Sequence, residues 1–363
     1  MNESRRFRAG LGVLQLEGRT YSAREVVQAA DFRGELRSLW RDFLVAAACA
    51  HVAEELGLEP DAEVLQSMSE EFRYERDLVT AQETERWLED RGATLEDFDD
   101  YFVRRYWARA LPDSRRPEEV DLPCAANEVD ETFGIDLMLS GDFFRMAARL
   151  GRRASALAAA GENGEPAPEA IEHERTRFAE RNGIRGDGIR AWLIAAGIDP
   201  ARLQDLLRLE AVYGAHCHAV LGDRARMRLL QTLRLPLTRL EVETIEVDSL
   251  DAAREAALCV RDDGIEMADL AKEHRYPYHR AELLLDDLDA DRQRTFLAAA
   301  PGNVLQPIQD EGRYEVCRLV RKVEPDLSDE RVAGRIDESI LDAHFAELTR
   351  KEVRWMIPDE TAE

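Results

Sequence analysis

The sequence lacks any paired-cysteine signature. Its five cysteines, Cys49, Cys124, Cys217, Cys259 and Cys317, are scattered, and no CxxC pair occurs. An odd, dispersed set argues for reduced thiols and against a disulfide frame. Positive charge is also short: 49 lysines and arginines face 74 acidic residues, a formal net charge of −25. That deficit excludes a general nucleic-acid binder, which must neutralise phosphates, and docking on an anionic membrane surface. No apolar run follows the charged stretch Met1–Gly10, so neither a signal peptide nor a transmembrane helix is expected, and the expected compartment is the cytoplasm. No P-loop, GxGxxG, HExxH or GxSxG pattern is present, and no cofactor is expected. A site assembled only in space would escape such a scan.

What is present points to helices. Glycine and proline are few, 21 and 13 in 363 residues, while alanine, leucine, glutamate and arginine abound. Hydrophobic content of 45% is that of a globular chain, and the length calls for two or three domains.

An internal repeat organises the first two thirds. Trp87-Leu88-Glu89-Asp90-Arg91-Gly92 is echoed by Trp192-Leu193-Ile194-Ala195-Ala196-Gly197. The register continues with Phe98 on Leu203, Tyr101 on Leu206, Phe102 on Leu207 and Trp107 on Val212. Upstream, Phe72 matches Phe178 with a slip of one, and Asp42-Phe43 resembles Asp142-Phe143. Each copy reads as a long apolar helix (Leu36 to Glu55, then about Asp142 to Ala159) and a second helix around the phenylalanine. A short helix ending in a glycine cap and a further helix complete it. Thr94 to Asp97 is a capping box, and Asp199-Pro200 a cap before an N1 proline. The tryptophans at helical spacing read as core. Pro112 to Asn127 reads as the link between copies, and Gly161 to Pro166 as a longer loop. Gly12 to Gly18 is a short strand or turn.

After Leu235 the texture changes. Val242 to Val247 alternates as a strand, and Asp248 or Ser249 caps a helix. Met267 to Glu273 makes another helix, Val304 to Pro307 follows a turn, and Gly312 to Val320 closes as a strand. The predicted order is strand, helix, helix, helix, strand, strand. Ser328 to Trp355 reads as one amphipathic helix. The expected fold class is mostly α with a C-terminal α+β domain. The expected divisions are 1–112, 113–235, 236–325 and 326–363.

Several stretches of the α+β segment resemble the parvulin family of prolyl isomerases. Asp251 to Ala256 resembles the family's first helix, and Asp263 to Ala271 its G-x-x-F-x-x-L-A element, with Met267 at the aromatic position. Phe296 stands where parvulins place a pocket phenylalanine. Gly302 to Ile308 resembles G-x-V-S-x-P-V, and Arg313 to Leu319 the closing G-Y-H-I-I-x-V strand. The helical part is similar to that of SurA-type chaperones, whose last helix packs back on the first helices. The chain also resembles peptide-maturation proteins associated with ribosomally made modified peptides.

The resemblance implies a site, and the departures bear on its function. Thr244 occupies the family's first histidine position and Glu315 the second, and the central glycine pair is missing around His279 to Leu285. Losing both imidazoles removes polar groups from around the twisted imide. The expectation is a degenerate groove that binds peptide through Thr244, Met267, Phe296, Tyr314, Glu315 and His279, with no catalytic residue and no metal. Its expected partners are an unfolded or precursor peptide and peptide-modifying enzymes. Two alternatives stay open, an active isomerase with a rearranged site and a scaffold for a modifying complex. His274 and His279, with Tyr276 and Tyr278, are expected in a loop. His216 and His218 flank Cys217 but would diverge on a helix, which argues against a zinc site.

Overall fold

A hairpin opens the chain in the computed structural model, which describes residues 10–111, 126–161, 164–186, 188–310 and 312–357. Strands β1 (Gly12–Leu16) and β2 (Arg19–Ser22) pair antiparallel through Glu17 and Gly18, at φ 48° and 80°. Two successive positive φ values give a turn that matches strand twist. Ser22 then caps α1 (Ala23–Phe32) in a reciprocal box with Glu25. Next come α2 (Leu36–Glu55), α3 (Ala62–Tyr74), α4 (Ala81–Asp90) and α5 (Leu95–Ala110). The expected box of Thr94 with Asp97 starts α5, and an unforeseen one, Thr80 with Glu83, starts α4.

The second series is α6 (Ala126–Leu139), α7 (Asp142–Ala160), α8 (Pro168–Arg181), α9 (Gly188–Ala195) and α10 (Pro200–Val220). Most of the expected link, 112–125, lies outside the described residues, as do Cys124 and residues 162–163 of the expected loop. Asn127, its last residue, falls in α6.

The repeat is physical. Phe72 meets Trp87 edge-on at 5.5 Å, and Phe178 meets Trp192 edge-on at 4.8 Å. After each tryptophan helix the same cap forms. Gly92 and Gly197 take φ of 71° and 60°, and Ala93 and Ile198 donate back to Leu88 and Leu193, both at 3.0 Å. The copies differ in what they pack against. Phe72, Phe98, Tyr101 and Phe102 form a core of their own with Leu139. Phe178, Leu203, Leu206 and Leu207 join the main core around β1, α1 and α7.

Beyond α10 come α11 (Asp223–Thr232), β3 (Arg239–Val247), α12 (Leu250–Arg261), α13 (Met267–His274) and β4 (Tyr278–Leu284). They are followed by α14 (Ala290–Ala298), β5 (Ile308–Asp310), β6 (Arg313–Val323), α15 (Glu330–Glu352) and β7 (Arg354–Trp355). Ser249 caps α12, its hydroxyl accepting from the Ala252 amide at 3.2 Å. Four of these strands form an antiparallel sheet in the order β4-β3-β6-β5. The predicted order is corrected at two places. A strand, β4, occupies the stretch expected as a loop. The short strand before β6 is Ile308–Asp310, while Val304 makes only a single bridge to Arg318.

Residues Met1–Cys217 with Phe345–Glu363 make one compact unit, and His218–His344 a second. In the first, the tail returns to the N-terminal hairpin. The Met356 amide donates to the Val13 carbonyl at 2.9 Å, β7 pairs with β1, and Val353 and Ile357 enter the main core. The expected single helix to Trp355 therefore stops at Glu352, because the following backbone is claimed by β1. Its earlier residues Val332 and Ile336 are buried in the second unit, against Leu237 and Leu284.

Candidate binding corner of the C-terminal sheet

Strand alternation decides which side chains meet. Along β3, Leu240 and Val242 pack with Phe296, Cys317 and Leu319 on one face. Ile245 and Val247 pack with Met267 and Val316 on the other, under α12 and α13. The register sets Thr244 opposite His279 on β4 and opposite Cys317 on β6, and sets Glu246 opposite Glu315. Thr244, Glu246, His279 and Glu315 thus continue the Val242 face beyond the apolar patch that holds Phe296.

The structure brings together three of the six expected binding residues. Thr244, where the sequence resemblance puts a first histidine, is buried; Glu315, where it puts a second, is half-buried; His279 is exposed. Met267 and Tyr314 belong to the opposite face, Met267 fully buried there. Phe296 is 3% exposed beneath the Val242 face, a core side chain with almost no surface for a ligand. These three placements correct the expected groove. For Tyr314 the physical reason is parity, since side chains one residue apart on a strand point to opposite faces; Met267 on α13 and Phe296 on α14 are instead buried in the cores on the two sides of the sheet. His274 ends α13 and stacks on Tyr276 at 5.4 Å.

Two residues of the corner were legible but overlooked. Glu246 lies two positions beyond Thr244, hence on the same face, and Arg313 reaches it from β6 at 3.2 Å. His279 Nε2 lies 3.8 Å from Glu246. Glu246 and Glu315 are like charges directly opposed across two strands, an arrangement that is destabilising until cations join it. Arg313 supplies that compensation at Glu246.

Beside this corner, Cys317 has its thiol pushed up to about 12, by burial first and by the Glu315 carboxylate second. A thiol so placed is inert at neutral pH. The corner thus offers a hydroxyl, two carboxylates and an exposed imidazole, an acceptor-rich surface suited to N–H donors and cations. Among the described residues, no group of three histidine, cysteine or acidic side chains could hold a metal ion. His216, Cys217 and His218 lie on α10, and the His216 ring packs 5.7 Å from Phe345.

On the opposite face, Glu243 anchors the sheet. Tyr278 donates its hydroxyl to Glu243 at 2.9 Å, and Arg318 donates Nε at 2.8 Å while also bonding Glu266 at 2.7 Å. This cluster ties β4, β3, β6 and the start of α13 together. Outside it, β4 ends the sheet, and the Glu282 carbonyl on its free edge accepts from Arg331 at 2.9 Å.

No family model matches the chain, and none of the curated proteins matches it. Among solved structures, it is similar to a peptidylprolyl isomerase (PrsA) from Bacillus anthracis, with 12% identity, TM-score 0.31, and 56% of this chain covering 94% of that one. It is similar to PrsA from Bacillus cereus, with 11% identity, TM-score 0.35, and coverage of 61% and 85%. A structure of SurA-like chaperones from Campylobacter jejuni gives 7% identity, TM-score 0.21, and coverage of 65% and 90%. The superpositions are loose in all three. The chain is similar to PrsA and SurA-like proteins at this level of superposition.

Proposed function

We propose that this protein is a peptide-binding, chaperone-like protein whose parvulin-like unit holds an extended segment without isomerising it. One observation carries the reading. Thr244 and Glu315, at the family's two histidine positions, share one sheet face, and neither supplies an imidazole. The corner is acidic and lies on a sheet whose terminal strand β4 pairs with one strand only among the described residues. A basic or neutral segment suits it. In this reading the protein works in the cytoplasm and presents an unfolded or precursor peptide to modifying enzymes.

A second reading rests on His279, the one imidazole opposite Thr244. It would make the unit an isomerase with a displaced histidine. Proline cis/trans exchange in a short basic reporter peptide, followed by NMR exchange spectroscopy, separates the two. Broadened lines without faster exchange are expected. Faster exchange that disappears in His279→Ala would replace the binding reading with the isomerase one. Sharp lines and unchanged exchange with basic and neutral peptides alike would sink both readings.

A further inference from the structure

The acidic corner of the sheet already binds one guanidinium, that of its own Arg313. This residue opens β6, directly after Gly312 at φ 85°, and reaches across to β3. Its Nη1 donates to Glu246 Oε2 at 3.2 Å. The second oxygen of the same carboxylate, Oε1, faces His279 Nε2 at 3.8 Å.

The pair is loosely held. The Arg313 side chain is 60% exposed and that of Glu246 39%, so the contact lies in water and adds little to stability. Keeping a long arginine side chain at one carboxylate also costs rotamer freedom. A guanidinium from outside can therefore take this place without opening the core on either side of the sheet. Glu246 needs a cation in either state, because Glu315 stands directly opposite it on β6. Next to Glu315, the half-buried Ile308 of β5 is its cross-strand partner and shares its face. An apolar side chain beside carboxylates suits an arginine, whose alkyl stem packs on apolar surface while its head meets the charge.

We propose that the corner recognises an arginine-bearing segment and that Arg313 is its resident competitor, which holds Glu246 until an incoming guanidinium displaces it. The inference rests on the peptide-binding reading above. It adds the side chain recognised and the residue that sets how tightly it is held. The incoming guanidinium meets Glu246 as Arg313 does, with its stem on Ile308.

The same two strands supply a matched control. Arg321 on β6 bonds Glu241 on β3, and its side chain is 62% exposed. It lies roughly 25 Å further along β6.

The test is fluorescence anisotropy of the full chain, at low ionic strength, with labelled and terminally blocked dodecapeptides. They carry a single central arginine or, in its place, citrulline, its neutral isostere. The arginine peptide should bind Arg313→Gln about fivefold tighter than the unaltered chain, the equivalent of about 1 kcal/mol. Its affinity for Arg321→Gln should stay within about twofold of the unaltered chain. The citrulline peptide should not distinguish the three proteins, and Glu246→Gln should abolish the preference for arginine. A misfolded variant cannot mimic the first result, which is a gain. An affinity that Arg313→Gln leaves unchanged or weakens overturns the competitor role. An equal gain in Arg321→Gln overturns it too, since net charge alone would then account for the effect. A preference for arginine that survives Glu246→Gln overturns the assignment to this corner. Equal binding of the two peptides to Arg313→Gln overturns the recognition of arginine and leaves peptide binding standing. Binding of neither peptide to any of these proteins overturns both this inference and the reading on which it rests.

Discussion

Arg318 crosses from β6 to the buried carboxylate of Glu243 on β3, and its Nε donates at 2.8 Å. Burial pushes the Glu243 carboxyl up, but the hydrogen bonds from Arg318 and Tyr278 and the nearby Arg280 outweigh it and hold the group below its ordinary value. A carboxyl lowered by folding stabilises the native state above the unfolded glutamate pKa, about 4.3, and that contribution is lost as pH falls through the lowered native value. The sheet unit should therefore weaken below about pH 4.3, and Glu243→Gln should flatten that acid limb of a urea-denaturation profile. Arg318→Met should cost about 1–3 kcal/mol at pH 7, because it leaves a buried carboxylate short of a donor. An unchanged midpoint would show that the cluster is energetically idle.

Asp77 is the first-copy counterpart of Gly183, at φ 53° against 64°. Both follow a phenylalanine helix, and Leu78 and Ile184 then donate back to Arg73 and Ala179, each at 2.8 Å. Asp77 is exposed and makes a left-handed turn that glycine adopts without strain. Asp77→Gly should stabilise the first unit by about 0.5–1 kcal/mol, and Gly183→Ala should destabilise it by about 1 kcal/mol. Thermal melts of the two variants moving in the same direction would refute the structural equivalence of the copies.

The tail should behave as part of the first unit. Gly151 on α7 leaves room for Trp355, whose ring would lie 3.4 Å from any added Cβ. Truncation after Glu352 removes β7 together with the core residues Val353 and Ile357, and should cost at least about 3 kcal/mol. Gly151→Leu should be destabilising in the intact chain and much less so in the truncated one. Equal effects in both would place Trp355 elsewhere.

Cys317 should resist alkylation. With its thiol pushed up to about 12 by burial and then by Glu315, it is almost wholly protonated at pH 8. Mass spectrometry after iodoacetamide should find Cys317 modified only when denaturant is present. Rapid labelling of the native protein would mean that the sheet face opens far more readily than its packing implies.

Periodic apolar spacing and capping chemistry made the helices readable. Thr94 with Asp97, Asp199 before Pro200, and Ser249 all cap as local chemistry demands, since a cap needs only its own next few residues. The tryptophan–glycine echo likewise announced two equivalent packing units. Strand β4 was not readable. Tyr278 to Leu284 carries charges at His279, Arg280 and Glu282 and lacks β-branched residues, so its extended form depends on pairing with β3, a neighbour more than thirty residues away. The same holds for β7, whose pairing with β1 joins nearly opposite ends of the chain.

The sequence by itself determined the helical composition, the repeat, the α+β change of texture and the absence of histidine at Thr244 and Glu315, because each is written in adjacent or regularly spaced residues. Only the tertiary structure decided that Thr244, Glu246, His279 and Glu315 share a corner while Met267, Phe296 and Tyr314 do not. Sheet register and strand parity gather the first four and set Tyr314 apart, and helix packing buries Met267 and Phe296 in the cores on the two sides of the sheet; both depend on long-range pairing. The cavity lined by Phe43, Phe133, Arg105 and Arg109 is of the same kind. Its walls come from three helices, and no local pattern in any one of them records the space they enclose.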